Sequence, residues 1–129
     1  EFPTTVEAAG ESRAQGLSVL MGAPNLVRGS SHSGNVSARD LAEGGLLDIL
    51  SSDYLPASLL FGALTLPRLP SGIDLAPAVA TVTLTPARRV GLDDRGEIAK
   101  GKRADLVRVR DCGEVPVIRG VWRLGEKVA

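Results

Sequence analysis

Short apolar runs alternate along this chain with longer amphipathic stretches. Leu17 to Met21 (LSVLM) and Leu46 to Ser51 (LLDILS) are of strand length. Such runs fit strands buried on both faces, as in a parallel sheet. Glu1 to Thr5 is short and extended, restricted by Pro3. Val6 to Gly16 predicts a helix: Thr4 or Thr5 can cap it, Glu7 suits its positive end, and Gly16 supplies a left-handed stop. Ser37 and Asp40 have the spacing of a capping box and start a second, short helix near Gly44 at its far end. Strand and helix alternating in this way argue for parallel βαβ units.

The middle reads as helical. Pro56 to Leu66 (PASLLFGALTL) opens with proline, whose missing N–H costs nothing at a helix start. A loop from Pro67 to Asp74 leads to Leu75–Thr83 (LAPAVATVT). One more turn is expected from Thr85, capped by that residue and stopped by Gly91. The pattern then changes. Gly96 to Arg103 is turn-rich and charged, and Ala104 to Arg110 alternates apolar and basic residues from Leu106 onward, as a half-buried strand does. Val115–Ile118 and Gly120–Leu124 read as two further short antiparallel strands. Three short strands are marginal alone, so this tail needs a surface to pack on. Trp122 is expected to serve that packing.

Composition narrows the function. The 129 residues are 43% hydrophobic and 23% charged, which is globular composition. The length is roughly half of what a complete eight-stranded α/β barrel needs. Fifteen basic and fifteen acidic residues cancel, so no global charge favours nucleic acid or an anionic membrane. Aromatics at 3% leave few platforms for base stacking. No apolar run reaches the about 18 residues of a membrane-crossing helix. Cys112 is the single cysteine, so neither an internal disulfide nor a cysteine zinc site can form, and an inert surface thiol is expected. His32 is the single histidine, which excludes a multi-histidine metal cage built by this chain alone. The chain begins at Glu1 rather than Met and shows no signal peptide, so a piece of something longer in a reducing, cytoplasmic setting is expected.

Ligands gather at the carboxyl ends of parallel strands. Two places qualify. The first is the segment Gly22 to Asn35, read as a long polar loop running into the helix at Ser37. There Arg28 can fork onto a phosphate, and Ser30, Ser31, Ser33 and Asn35 can donate hydrogen bonds. His32 can donate to a phosphate or act as acid or base. The helix N-terminus would add about half a positive charge. The rival reading is a polar surface loop. The second place is Asp53, just past the second strand, where a carboxylate can bind a divalent metal or orient its water. The rival reading is a turn aspartate, with Asp48 inside the strand as a competitor. A serine hydrolase is disfavoured because no Gly-x-Ser-x-Gly elbow exists. Arg88, Arg89 and the basic residues of Lys100 to Arg103 read as solvated charges.

The later motifs carry a resemblance. Thr83-Leu-Thr-Pro-Ala-Arg88, then Gly91-Leu92, then Gly96-Glu-Ile, Gly101-Lys102 and Ala104-Asp-Leu-Val107 resemble the C-terminal part of the amidohydrolase superfamily. Glu1 to Ala9, Met21 to Asn25, Arg28 to Asn35 and Leu47 to Tyr54 are similar to one subfamily, the phosphonate-metabolism diphosphatases of the carbon–phosphorus lyase pathway. The resemblance implies an α/β fold: the C-terminal portion of a (β/α)8 barrel over residues 1–91, then short antiparallel strands of a small β-sandwich domain over 92–129. It implies hydrolysis of ribose methylphosphonate triphosphate with release of diphosphate. Asp53 then matches the aspartate after the eighth strand, as metal ligand and as acceptor of a proton from the attacking water. The Arg28–Asn35 segment becomes a polyphosphate cradle. A divalent metal, zinc or similar, is implied for the full-length enzyme. The histidines and bridging group of such enzymes are absent here, so the chain alone is expected to be inactive and not to retain metal. A phosphorylated small molecule is the expected partner, with no nucleic acid and no membrane. Self-association or contact with proteins of that pathway is left open by the uncovered strand edges. The alternatives are a cyclic-amide or N-acyl hydrolase of the same superfamily, and a non-enzymatic binding remnant.

Overall fold

The computed structural model describes residues 2–29, 34–113 and 115–129. Chain order begins with helix α1 (Val6–Ala14), strand β1 (Leu20–Gly22), helices α2 (Ala23–Arg28) and α3 (Ala38–Glu43), and strand β2 (Ile49–Ser51). Helix α4 (Ser58–Thr65), a 3-10 turn (Leu66–Arg68), and helices α5 (Leu75–Ala80) and α6 (Leu84–Arg89) follow. Strands β3 (Leu106–Arg110), β4 (Val117–Arg123) and β5 (Glu126–Lys127) close the chain.

The local rules held at the starts of α1 and α3. Thr5 caps α1 by accepting from the Ala8 amide at 3.1 Å. Ser37 and Asp40 make the expected capping box at α3, each side chain accepting from the other's backbone amide. Such caps satisfy amides that a helix start otherwise leaves open. Helix α6 starts at Leu84, two residues before the start that a Thr85 cap implies. Thr83 rather than Thr85 precedes it, and the Thr83 hydroxyl donates to the Val79 carbonyl at 2.9 Å instead of capping.

β1 and β2 pair in parallel, with Leu20 opposite Ile49, Met21 opposite Leu50 and Gly22 opposite Ser51. This is the parallel pair that the two apolar runs predict, shorter than either run. The amino end is pinned by Asp48, whose Oδ2 accepts from the Val19 amide at 2.8 Å and whose Oδ1 lies 3.6 Å from Arg13. Asp48 thus ties α1 to the floor of the sheet, and it does not compete with Asp53 at the opposite end. On the far edge of β2, the Leu50 amide donates to the Thr81 carbonyl at 3.1 Å. Met21, Leu26, Leu41, Leu50 and Leu66 are buried together where the helices cover this sheet. Burying side chains of this size stabilises by roughly 1.5–3 kcal/mol each.

The tail is an antiparallel sheet in the order β3-β4-β5. The two short strands expected at Val115–Ile118 and Gly120–Leu124 are one strand, β4. Arg108 pairs with Gly120 and Val109 with Ile118, so Arg119 is an extra residue that bulges out. Periodicity breaks at a bulge, which is why the strand reads as two. Trp122 packs within this sheet rather than into the main core. Its ring lies across Gly120, and the Arg108 guanidinium sits 5.8 Å from the ring centroid. Val107, Val109, Ile118, Val121 and Val128 share the other face, and Val107, Ile118 and Val128 are exposed there. Asp105 joins the ends of the hairpin. It accepts from the Leu124 amide at 2.9 Å and pairs with Arg103. The amide of Leu124, more than any other group, holds the Asp105 carboxyl below its ordinary range.

Candidate functional site

The parallel register places the last residues of both strands, Gly22 and Ser51, side by side. Two residues further on, Asp53 adopts a left-handed backbone conformation with φ of 50°. Asp tolerates that region better than most residues, because its short polar side chain can bond locally. The turn is held shut behind it. The Leu55 amide donates to the Ser52 carbonyl at 3.0 Å, and the buried Ser58 hydroxyl donates to the Leu55 carbonyl at 2.6 Å. The Asp53 side chain folds back over the end of β1 and lies directly against Gly22. It is exposed, so its carboxylate faces solvent at the carboxyl ends of both strands.

Arg28 reaches the same end by a different route from the one expected. Residues 23–28 are helical, so Arg28 ends α2 instead of lying in a loop, and Gly29 caps the helix with φ of 80°. Pro24 explains the difference: it favours a helix start, and Gly22 ends the strand without an intervening turn. The Arg28 guanidinium sits over the Tyr54 ring, 5.6 Å from its centroid. A cation and an aromatic face at this distance attract by about 0.5–1 kcal/mol at an exposed site. Tyr54 follows Asp53 directly, so the turn after β2 carries both the carboxylate and the support of Arg28.

The rest of the expected cradle divides in two. Ser30, Ser31, His32 and Ser33 lie outside the described residues. Asn35 is exposed. Amides at the start of α3 already have acceptors within the chain. The Ala38 amide donates to Asn25 Oδ1 at 2.8 Å, the Asp40 amide donates to Ser37 Oγ at 3.0 Å, and the Asp40 carboxylate occupies the remaining corner. Asn25, inside α2, thereby ties the two helices together. Among the described residues no group of three or more His, Cys, Asp or Glu could hold a metal ion. Asp53 supplies one carboxylate where a stable site needs about three or more protein ligands. The described residues alone do not fit the metal.

Sequence reasoning missed two contributors, Gly22 and Tyr54. Each had a faint signal: a glycine ending an apolar run, and one of the few aromatics beside the candidate acid. Arg28, at the end of α2, meets Tyr54, the neighbour of Asp53 in the turn after β2.

Residues 9–129 match the family model described as Amidohydrolase family, and the chain belongs to that family. Within it, the chain is 56% identical over 129 residues to the alpha-D-ribose 1-methylphosphonate 5-triphosphate diphosphatase of Escherichia coli, covering 99% of this chain and 34% of that protein. It is 40% identical over 83 residues to the dihydroorotase of Methanopyrus kandleri, covering 51% of this chain and 19% of that enzyme. The fold is similar to the crystal structure of an amidohydrolase from Thermotoga maritima, with a TM-score of 0.73 at 22% identity over 95% of this chain and 34% of that one. The chain therefore spans about a third of the length of the diphosphatase it matches. No helix among the described residues is long and apolar enough to cross a membrane.

Proposed function

We propose that this chain is the C-terminal third of a hydrolase that releases diphosphate from ribose methylphosphonate triphosphate. The observation that carries the reading is the 56% identity to such a diphosphatase along nearly the whole chain. In this reading residues 1–91 complete an α/β barrel and 92–129 belong to a small β-domain. Asp53 accepts the proton of the attacking water. Arg28, with Ser30, Ser31, His32, Ser33 and Asn35, binds the polyphosphate oxygens. Tyr54 holds the guanidinium so that its fork stays turned toward them. A divalent metal belongs to the proposal only for the full-length protein, with Asp53 as one ligand and the others from outside the described residues. The chain alone is inactive in this reading, and its setting is cytoplasmic. The second reading is another amidohydrolase, which the likeness to a dihydroorotase favours over half of the chain.

Arg28 separates the two. A charge-assisted hydrogen bond contributes about 1.5–3 kcal/mol, or roughly 10–100-fold in binding. In the full-length protein, Arg28→Ala raises KM for the triphosphate by that factor and changes kcat less. Steady-state diphosphate release measures both. An unchanged KM would remove Arg28 from the phosphate site. Turnover of a cyclic amide in place of the triphosphate would favour the second reading.

A further inference from the structure

Gly22 has an ordinary backbone, with φ of −70° and ψ of 126°. Any residue adopts that conformation, so the chain path does not call for glycine here. The requirement comes from Asp53. A Cβ on Gly22 would lie 2.8 Å from Asp53 Oδ2, 3.2 Å from its Cβ and 3.4 Å from its Cγ. Non-bonded carbon atoms rest about 3.5–4.0 Å apart, so these positions overlap. The turn that carries Asp53 has little freedom to withdraw, because the Leu55 amide and the Ser58 hydroxyl close it. The carboxylate would have to swing away instead.

We propose that Gly22 is a positioning residue: its missing side chain is the seat on which the Asp53 carboxylate rests at the mouth of the parallel strands. The inference rests on the reading of Asp53 as the proton acceptor. Gly22 has no side chain to offer water or substrate. It acts by fixing where the acid stands. Displacing a reacting group by about 1 Å can cost on the order of 100-fold in rate. The core does not depend on this contact, since Asp53 is exposed. Alanine also restricts the unfolded chain more than glycine, which favours the folded state.

The test is Gly22→Ala in the full-length protein, alone and combined with Asp53→Asn. The expected result is a fall in kcat of about 10–100-fold with KM within about threefold and no loss of thermal midpoint. In the Asp53→Asn background the same substitution should have no further effect, because there is no longer an acid to misplace. An equal fall in both backgrounds, or an unchanged kcat in the single variant, would overturn the inference. Crystal structures of the parent and of Gly22→Ala give a readout independent of activity. An Asp53 carboxylate that stays in place in the variant overturns the inference, and one that has swung away supports it. If the parent protein fails to release diphosphate, the functional reading fails. The structural comparison then still decides whether Gly22 seats Asp53.

Discussion

Replacing Asp53 by Asn in the full-length protein lowers kcat by about 10²–10⁴-fold, the range that a positioned general acid–base group contributes. The thermal midpoint stays where it is. The first half follows from the proposed role of Asp53, and the second from the geometry. The carboxylate stands exposed at the carboxyl ends of β1 and β2, the end at which open parallel sheets bind their ligands. Its φ of 50° is a conformation that Asn adopts as readily as Asp, so the turn survives the exchange. Asn keeps the shape and loses the basic oxygen. Steady-state kinetics with a calorimetric scan of the same samples checks the pair of outcomes. A variant that keeps more than about a tenth of the parent rate would remove Asp53 from the proton-accepting role.

Leu41→Ala has the largest expected effect on stability. Leu41 is 0% exposed on α3 and belongs to the same buried cluster as Ala9 of α1, Leu26 of α2 and Met21 of β1. Deleting three buried carbons loses their transfer free energy and leaves a cavity, for about 2–5 kcal/mol. Domains of ordinary size are stable by only about 5–15 kcal/mol. The substitution therefore removes a large share of the total. Ile98 is the contrast: it is 90% exposed, and Ile98→Ser should change stability by less than about 0.5 kcal/mol. Urea titration of the two variants measures the difference. Equal midpoints would mean that α3 is not packed as described.

Much of this arrangement was legible in the sequence where one residue type answers one local need. Thr5 at α1 and the Ser37–Asp40 box at α3 are such cases, because capping is settled within a single turn of chain. The parallel pairing of the two apolar runs was legible for the same reason: both lack a polar face. The misses arise where distant residues decide. Ala23 to Arg28 reads as loop because it holds Pro24 and Asn25 between two glycines, yet Pro24 opens a helix there that packs against α4. The start of α3 resembled an anion site, but Asn25 had already taken one of its amides. β4 reads as two strands because a bulge at Arg119 shifts the alternation by one. The role of Gly22 was invisible in one dimension. A glycine with an ordinary backbone shows its purpose only when the residue that needs the space, Asp53, is seen beside it.

The most direct measurement is ³¹P NMR of ribose methylphosphonate triphosphate incubated with the full-length protein in water enriched in ¹⁸O. The expected result is one new diphosphate signal appearing together with the ribose phosphate product, with a single ¹⁸O incorporated where water attacked. Orthophosphate appearing first, or a triphosphate spectrum that never changes while a cyclic amide is opened by the same protein, would contradict the assignment of this chain to a diphosphatase.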